Sequence, residues 1–397
     1  MLYVVKRKTL ILSLLICLAI IALALAGCSN QETGSTKAPA ADAYKVGVVL
    51  DISGKASSLG IPERDTVQMI ANKINREGGI NGHPLELVIL DTKSNETEAA
   101  LAARKLIQEG VLAILGASTS GSTMAIIDTV QNAEIPLVSC AASVKIVEPL
   151  NERRWVFKTA QSDSLVAAKI VDYLKLKNLT KVAFVSVNNA YGDSGREEFE
   201  KAASAGGITV TVWEKFEQDD TIMTSQLTNV KKQNPQAVIA WAIPPAASSL
   251  TENYRQMDIK APLIHSHGIG NQTFIDLAGP AAEGVIFPIG KLVVADSLPE
   301  SDPQKDILIN YVSDYRETYG PPDPFGGYAW DALHLVINAI EKAGPDKAKI
   351  RDELEKTSGF VGVTGVFNMS PADHNGLAIE DLVLVEIRDG KWQISKD

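Results

Sequence analysis

Tyr44-Lys45-Val46-Gly47-Val48-Val49-Leu50, a helical spacing of Val67, Ile70, Ala71 and Ile74 over Pro62–Glu77, the break Gly78-Gly79, and Leu85-Glu86-Leu87-Val88-Ile89-Leu90 together decide the fold. Short apolar runs read as strands, and Pro62 suits a first helical turn. Gly78-Gly79 stops the helix. A strand, a helix and a second strand within about 45 residues predict a βαβ unit. Strands this apolar predict a parallel sheet covered on both faces by helices.

The pattern continues outward from that unit. Asn95 opens a helix through Ile107, Val111–Leu115 and Pro136–Ser139 are further strands, and a helix lies between them. It restarts after Trp155-Val156-Phe157-Lys158. Leu165–Leu176, Gly192–Ala205, Ile222–Gln233 and Ser248–Met257 read as helices between the strands Lys181–Val187, Thr209–Trp213, Ala237–Trp241, Leu263–Ser266 and Gly284–Pro288. Helices follow at Asp306–Tyr319, Tyr328–Ala343 and Ile350–Lys356. The chain closes with Leu382–Ile387 and Lys391–Ile394 around Arg388-Asp389-Gly390, a hairpin with an Asp-Gly turn. Two successive α/β units result, with late segments that belong to neither alone. Ligands of open α/β sheets bind beyond the carboxyl ends of the strands, so two facing units predict a cleft.

The amino terminus has a different character. Lys6, Arg7 and Lys8 precede an apolar run from Thr9 to Ala26, and Leu25-Ala26-Gly27-Cys28 ends it with small residues before a cysteine. This resembles a bacterial lipoprotein signal, which implies lipid attachment at Cys28 and a membrane anchor. The run is also near the lower length limit of a spanning helix. Either reading puts the remainder outside the cytoplasmic membrane, because the positive residues come first. Residues 29–43 are polar, small and proline-containing, the composition of a flexible tether.

Of 397 residues, 45% are hydrophobic, enough for two ordinary domains. Net charge is −10, and residues 1–27 hold three cations and no acid, so the remainder stands at −13. Such a surface repels phosphate backbones, and nucleic acid is not an expected partner. The three cysteines are Cys17, Cys28 and Cys140. With Cys17 in the leader and Cys28 lipidated, Cys140 has no disulfide partner and reads as a small buried hydrophobe.

The residues then become recognisable. Val46–Leu50 leads into Ser53-Gly54, and Ile74–Asp91 reads INREGGINGHPLELVILD. Gly116-Ala117-Ser118-Thr119-Ser120-Gly121-Ser122-Thr123 and Ala190-Tyr191-Gly192-Asp193 follow. From Tyr44 onward the chain resembles type I periplasmic solute-binding proteins of the branched-chain amino acid transporter group. The resemblance implies two lobes, each a parallel-sheet three-layer α/β sandwich, joined by three crossings. It assigns residues 43–161 plus 289–363 to lobe 1 and 162–288 plus 364–397 to lobe 2. In that family a first-lobe set of hydroxyls and backbone N–H groups holds a ligand carboxylate, and the matching positions are Ser120, Ala141 and Ser143. Hydroxyls at such positions also cap helices. Tyr191 and Tyr328 match cleft-lining positions, whereas Trp330 reads as core.

Two positions depart from the amino acid binders. The glutamate that pairs with a ligand ammonium is His267 here, and a tyrosine that packs on the ligand is Leu59. A buried ammonium deprived of its carboxylate costs roughly 3–5 kcal/mol, on the order of a hundredfold in affinity. Arg153-Arg154-Trp155-Val156, His267-Gly268 and Asn368–Gly376 resemble the branch that takes aromatic and α-keto carboxylates. The expected ligand is thus a small monocarboxylate, aromatic or branched, with a keto or hydroxyl group touched by His267, and a branched-chain amino acid is next in order.

His265-x-His267 would share a face on a strand, but no third metal ligand is visible nearby. Gly54-Lys55-Ala56-Ser57 lacks the upstream glycine of a phosphate loop. No G-x-S-x-G or H-E-x-x-H occurs. No cofactor or metal is expected. The expected protein is a monomeric, lipid-anchored receptor that delivers its solute to an ABC permease by lobe closure. A ligand-sensing subunit of the same fold, or an extracytoplasmic enzyme using His267 as a base, are the other readings.

Overall fold

The computed structural model describes residues 42–395; the leader, Cys28 and most of the tether lie outside them. Strand β1 (Tyr44–Leu50) leads into helix α1 (Ser57–Arg76), β2 (Leu85–Asp91), α2 (Glu96–Gln108) and β3 (Ala113–Gly116). Two short helices, α3 (Ser120–Met124) and α4 (Ile127–Asn132), precede β4 (Leu137–Ser139) and β5 (Val156–Lys158). These strands form one fully parallel sheet in the order β2-β1-β3-β4-β5.

The period-2 alternation of β1 decides what covers that sheet. Val46, Val48 and Leu50 share one core with Val67 and Ile70 of α1, whereas Val49 joins Ala99, Ala103 and Leu106 of α2. Helix α1 begins five residues before the expected Pro62. Proline lacks the N–H that would reach the carbonyl of Ser58. Asn271 Nδ2 approaches that carbonyl from the other sheet at 3.5 Å.

The second unit continues with α5 (Asp163–Leu176), β6 (Lys181–Val187), α6 (Ala190–Gly206), β7 (Thr209–Phe216), α7 (Thr224–Lys232), β8 (Ala237–Trp241) and α8 (Ala246–Gln256). Strand β9 (Leu263–His265), α9 (Gln272–Ala278) and β10 (Ile286–Gly290) complete its parallel part. Then come α10 (Lys305–Tyr319), α11 (Pro324–Ala343), α12 (Lys347–Glu355), the β11–β12 pair (Phe360–Val361, Val366–Phe367), and the hairpin β13 (Leu382–Arg388) and β14 (Lys391–Ile394). The seven-stranded order is β14-β13-β10-β9-β8-β6-β7, with β13 and β14 antiparallel.

Helix α11 packs on α1 and so returns to the first sheet, although it follows β10 of the second. The chain therefore crosses after β5, after β10 and before β13: three crossings between two lobes. Asp331 holds the third by accepting the N–H groups of Val363 and Thr364, both at 2.7 Å. Asn375 ties it to the first, its Nδ2 donating to the carbonyls of Lys158 (3.2 Å) and Ala160 (3.1 Å). Edge strands β2 and β7 are only partly buried, unlike the fully covered strands expected throughout.

Candidate functional site

Between the lobes lies a cavity of about 200 Å³, room for on the order of a dozen waters and hence for a small organic molecule. Its walls come from the carboxyl ends of strands in both sheets. Ser118–Ser122 follow β3, and Cys140–Ala142 follow β4. Tyr191 follows β6, Gln218 follows β7, Ile243 follows β8, and His267-Gly268 follow β9. Phe325 and Tyr328 reach it from α11.

On the first lobe, Ser120 is buried to 2% exposure. Its Oγ accepts the Ser143 N–H at 3.3 Å, which leaves the hydroxyl hydrogen for another acceptor. Ala141 also lines the cavity, but its N–H already donates to Ser139 Oγ at 3.1 Å. What Ala141 can offer is its carbonyl oxygen. Ser143 does not line the cavity. Its hydroxyl donates across the cleft to Ser194 Oγ at 2.8 Å and accepts the Lys145 N–H at 3.2 Å.

Behind this wall Ser118 Oγ donates to Glu63, while Thr92 and Ser122 donate to Asp51. Burial raises both carboxyls, that of Glu63 strongly, against the lowering by these hydroxyls. Raised carboxyls favour the neutral form, so the floor opposes a ligand carboxylate less than two free anions would.

On the second lobe, the Asn189 side chain accepts the N–H groups of Tyr191 and Gly192 and starts α6. An added Cβ at Gly192 would fall onto the Val187 carbonyl, which is why the Tyr-Gly-Asp step needs its glycine. Tyr191 donates its hydroxyl to Ser266 Oγ at 2.9 Å, and its ring meets Trp241 at 6.1 Å and His267 at 6.0 Å.

His267 opens a short 3-10 turn rather than continuing β9, so it does not share a face with His265. His265 turns away, its Nε2 at 3.0 Å from Thr251 Oγ1 and its ring edge-on to Phe274. His267 lines the cavity with Nδ1 unpartnered. Burial, then the nearby Lys158 cation, lowers its pKa to about 3, so the ring is neutral. Among the described residues no cluster of three His, Cys, Asp or Glu side chains could hold a metal.

Tyr328 donates to Gln161 Oε1 at 3.1 Å, beside the first crossing. Trp330 stands outside the cavity, stacked on His334 at 3.7 Å. Leu59 and Cys140 contribute apolar lining, and burial raises the Cys140 thiol well above its usual range. Arg153 and His374 do not line the cavity. Arg153 donates to backbone carbonyls, and His374 stacks on Phe157. Sequence reasoning missed Gln218, Ile243, Phe325 and Lys55, the last in an ion pair with Asp219 at 2.8 Å. No motif marks them; the carboxyl ends of β7 and β8 were the available signal for Gln218 and Ile243, and that of β1 for Lys55.

Two lobes, three crossings and a cleft built from strand ends define a type I solute-binding protein. Comparison with known proteins agrees: the chain belongs to the periplasmic binding protein family, whose model matches residues 43–391, within the branched-chain amino acid transporter group. A leucine-, isoleucine-, valine-, threonine- and alanine-binding protein of Pseudomonas aeruginosa is 26% identical, over 87% of this chain and 88% of that one. An extracellular ligand-binding receptor from Rhodopseudomonas palustris superposes with a TM-score of 0.84 at 30% identity, over 89% of this chain and 99% of that one. The branched-chain amino acid transporter substrate-binding protein LivJ from Streptococcus pneumoniae, solved with isoleucine, gives 0.78 at 27% identity, over 89% and 98%.

Proposed function

We propose that this is the lipid-anchored, extracytoplasmic solute-binding subunit of an ABC importer, attached through Cys28, and that its cleft takes a small aromatic or branched monocarboxylate bearing a hydroxyl or keto group. The observation that carries this reading is the composition of the second-lobe wall. Asn189, Tyr191, Gln218, Ile243, His267 and Gly268 line it, without a carboxylate among them. An ammonium on that side would go without an anionic partner, whereas a hydroxyl or carbonyl finds neutral polar groups. The carboxylate would take the Ser120 hydroxyl, whose oxygen already accepts the Ser143 N–H.

Binding rather than turnover fits the cavity. His267, at about 3, is too weak a base to abstract a proton near neutrality. The Cys140 thiol is held protonated. Cross-lobe contacts support a closed state as the one offered to a permease: Lys55 to Asp219 at 2.8 Å, Lys145 to Glu197 at 2.7 Å, and Ser143 to Ser194. The test is thermal stability against a panel of acids. A ligand at ~100 times its Kd adds about 2.7 kcal/mol. Stabilisation by hydroxy, keto or aromatic acids supports the reading; tight leucine binding with no response to these acids refutes it.

A further inference from the structure

Lysine is rarely fully buried unless it is paired, yet Lys158, the last residue of β5, has no exposed surface. Its backbone is clamped by the third crossing: its N–H donates to the His374 carbonyl at 3.1 Å, and its carbonyl accepts Asn375 Nδ2. Its Nζ donates to Ser162 Oγ at 3.0 Å and to the Ala142 carbonyl. Burial lowers the ammonium below the usual lysine range, and the carboxylates of Asp163, Asp373 and Glu148 oppose that lowering. Both oxygens of Asp163 are buried without a hydrogen-bond partner, so this carboxyl does not bond to Nζ directly.

The peptide that Nζ meets turns this cation towards the cleft. The Ala142–Ser143 peptide is trans, so its C=O and N–H point in opposite directions. The carbonyl faces Lys158, and the N–H donates to Ser120 Oγ at 3.3 Å. Ser120 and Ala142 both line the cavity. Lys158 Nζ, that peptide and the Ser120 hydroxyl thus form a chain whose donors all point the same way. Each bond of such a chain polarises the next, so a cation at one end strengthens the donor at the other. The field also reaches the second-lobe wall, where it adds to burial in keeping the His267 ring neutral. We propose that Lys158 is a positioning residue that acts through Ser120 and makes the cleft select carboxylates over their uncharged amides. This rests on the carboxylate reading of the cleft and supplies the positive charge behind it.

The test is titration calorimetry of the full-length protein with two matched pairs: mandelate with mandelamide, and 2-hydroxy-4-methylpentanoate with its amide. In the pair that fits, the acid binds roughly tenfold or more tighter than the amide. That is the scale of one unit charge about 10 Å from another at an effective dielectric of about 20. In Lys158→Met the ratio falls about tenfold through weaker acid binding, while amide binding holds; a merely structural loss would weaken both alike. Ser120→Ala leaves the lysine in place but removes the last donor of the chain, so it lowers the ratio as well, and it carries the test if Lys158→Met does not fold. Equal binding of acid and amide by the wild-type chain, or a ratio unchanged in Ser120→Ala or in a folded Lys158→Met, overturns the role of Lys158 and leaves acid binding in the cleft standing. Absence of binding by both acids removes the carboxylate reading and the role of Lys158 together.

Discussion

Gly195→Ala is a single methyl added at a point where the structure leaves no room. Gly195 lies inside α6, buried against the indole of Trp241. An added Cβ would stand 2.5 Å from Trp241 Cδ2 and nearer still to Cε2 and Nε1. An ordinary carbon–carbon contact is ~3.6 Å, so ring or helix must yield by about 1 Å. Trp241 is fully buried on β8 and packs on Phe184, which leaves the ring little freedom. Overpacking of this kind costs typically 1–3 kcal/mol. Unfolding entropy of roughly 2.1 cal/mol/K per residue over about 350 residues gives ~0.7 kcal/mol/K, so 2 kcal/mol lowers Tm by about 3 °C. Because Trp241 backs Tyr191, the cavity wall shifts as well, and ligand affinity falls roughly tenfold. The assay is calorimetric Tm with titration of a bound acid, in Gly195→Ala, Trp241→Phe and the double variant. Trp241→Phe removes the indole ring atoms nearest the new methyl, so the double variant loses less than the sum. Strict additivity, or a Tm within 1 °C of wild type for Gly195→Ala, refutes the steric argument.

Three further outcomes follow from the site. His267 has its pKa lowered to about 3, against 6.5 in an open chain, so below pH 6.5 the unfolded chain takes up a proton that the folded one refuses. The stability tied to this group is therefore present above pH 6.5 and lost as pH falls, by about 1.4 kcal/mol per unit. Between pH 6.5 and 4.5, denaturant titration of His267→Asn shows about 2.3 kcal/mol less acid loss than wild type; an equal loss contradicts the burial argument. Asp331→Ala leaves the buried N–H groups of Val363 and Thr364 without their acceptor and lowers stability by about 2–5 kcal/mol in the same assay; a loss under 1 kcal/mol contradicts the role of Asp331 at the crossing. Ser143→Ala removes the cross-cleft bond to Ser194 and weakens ligand binding about two- to tenfold by calorimetry; unchanged affinity means the bond does not favour closure.

Strands were legible where the apolar run was long. β6 and β8 were read to the residue, and the Asp-Gly hairpin pairs β13 with β14 as expected. Helix starts were less legible, because backbone hydrogen bonding begins before the apolar stripe does. Helix α11 starts at Pro324, capped by the Asp323 carboxylate, four residues before Tyr328, where the apolar spacing becomes visible. The start of α1 is marked by no side-chain cap, and its proline-freed carbonyl is approached by Asn271 of the other lobe, a contact distant in sequence.

The site divides in the same way. Strand-end residues such as Ser120, Tyr191 and His267 stood at positions that topology alone marks. Ser143 was read as a cleft residue, yet its hydroxyl turns to Ser194, because only tertiary packing decides which neighbour takes a short side chain. The loop at His374-Asn375 was read with the ligand branch, whereas Asn375 serves the crossings. No motif marks Gln218, and only its place beyond the carboxyl end of β7 points to it. Its orientation depends on two carbonyls contributed 25 and 26 residues away.

The most direct measurement is titration calorimetry of the full-length protein with mandelate, benzoate, 2-hydroxy-4-methylpentanoate and leucine under one set of conditions. The account predicts that at least one of the three non-amino acids binds about a hundredfold or more tighter than leucine, since the second-lobe wall offers no carboxylate for an ammonium and the one carboxylate of the lining, Glu96, stands on the first lobe. Leucine binding as tightly as any of them would contradict it, and would require an acceptor for the ammonium other than the His267 position.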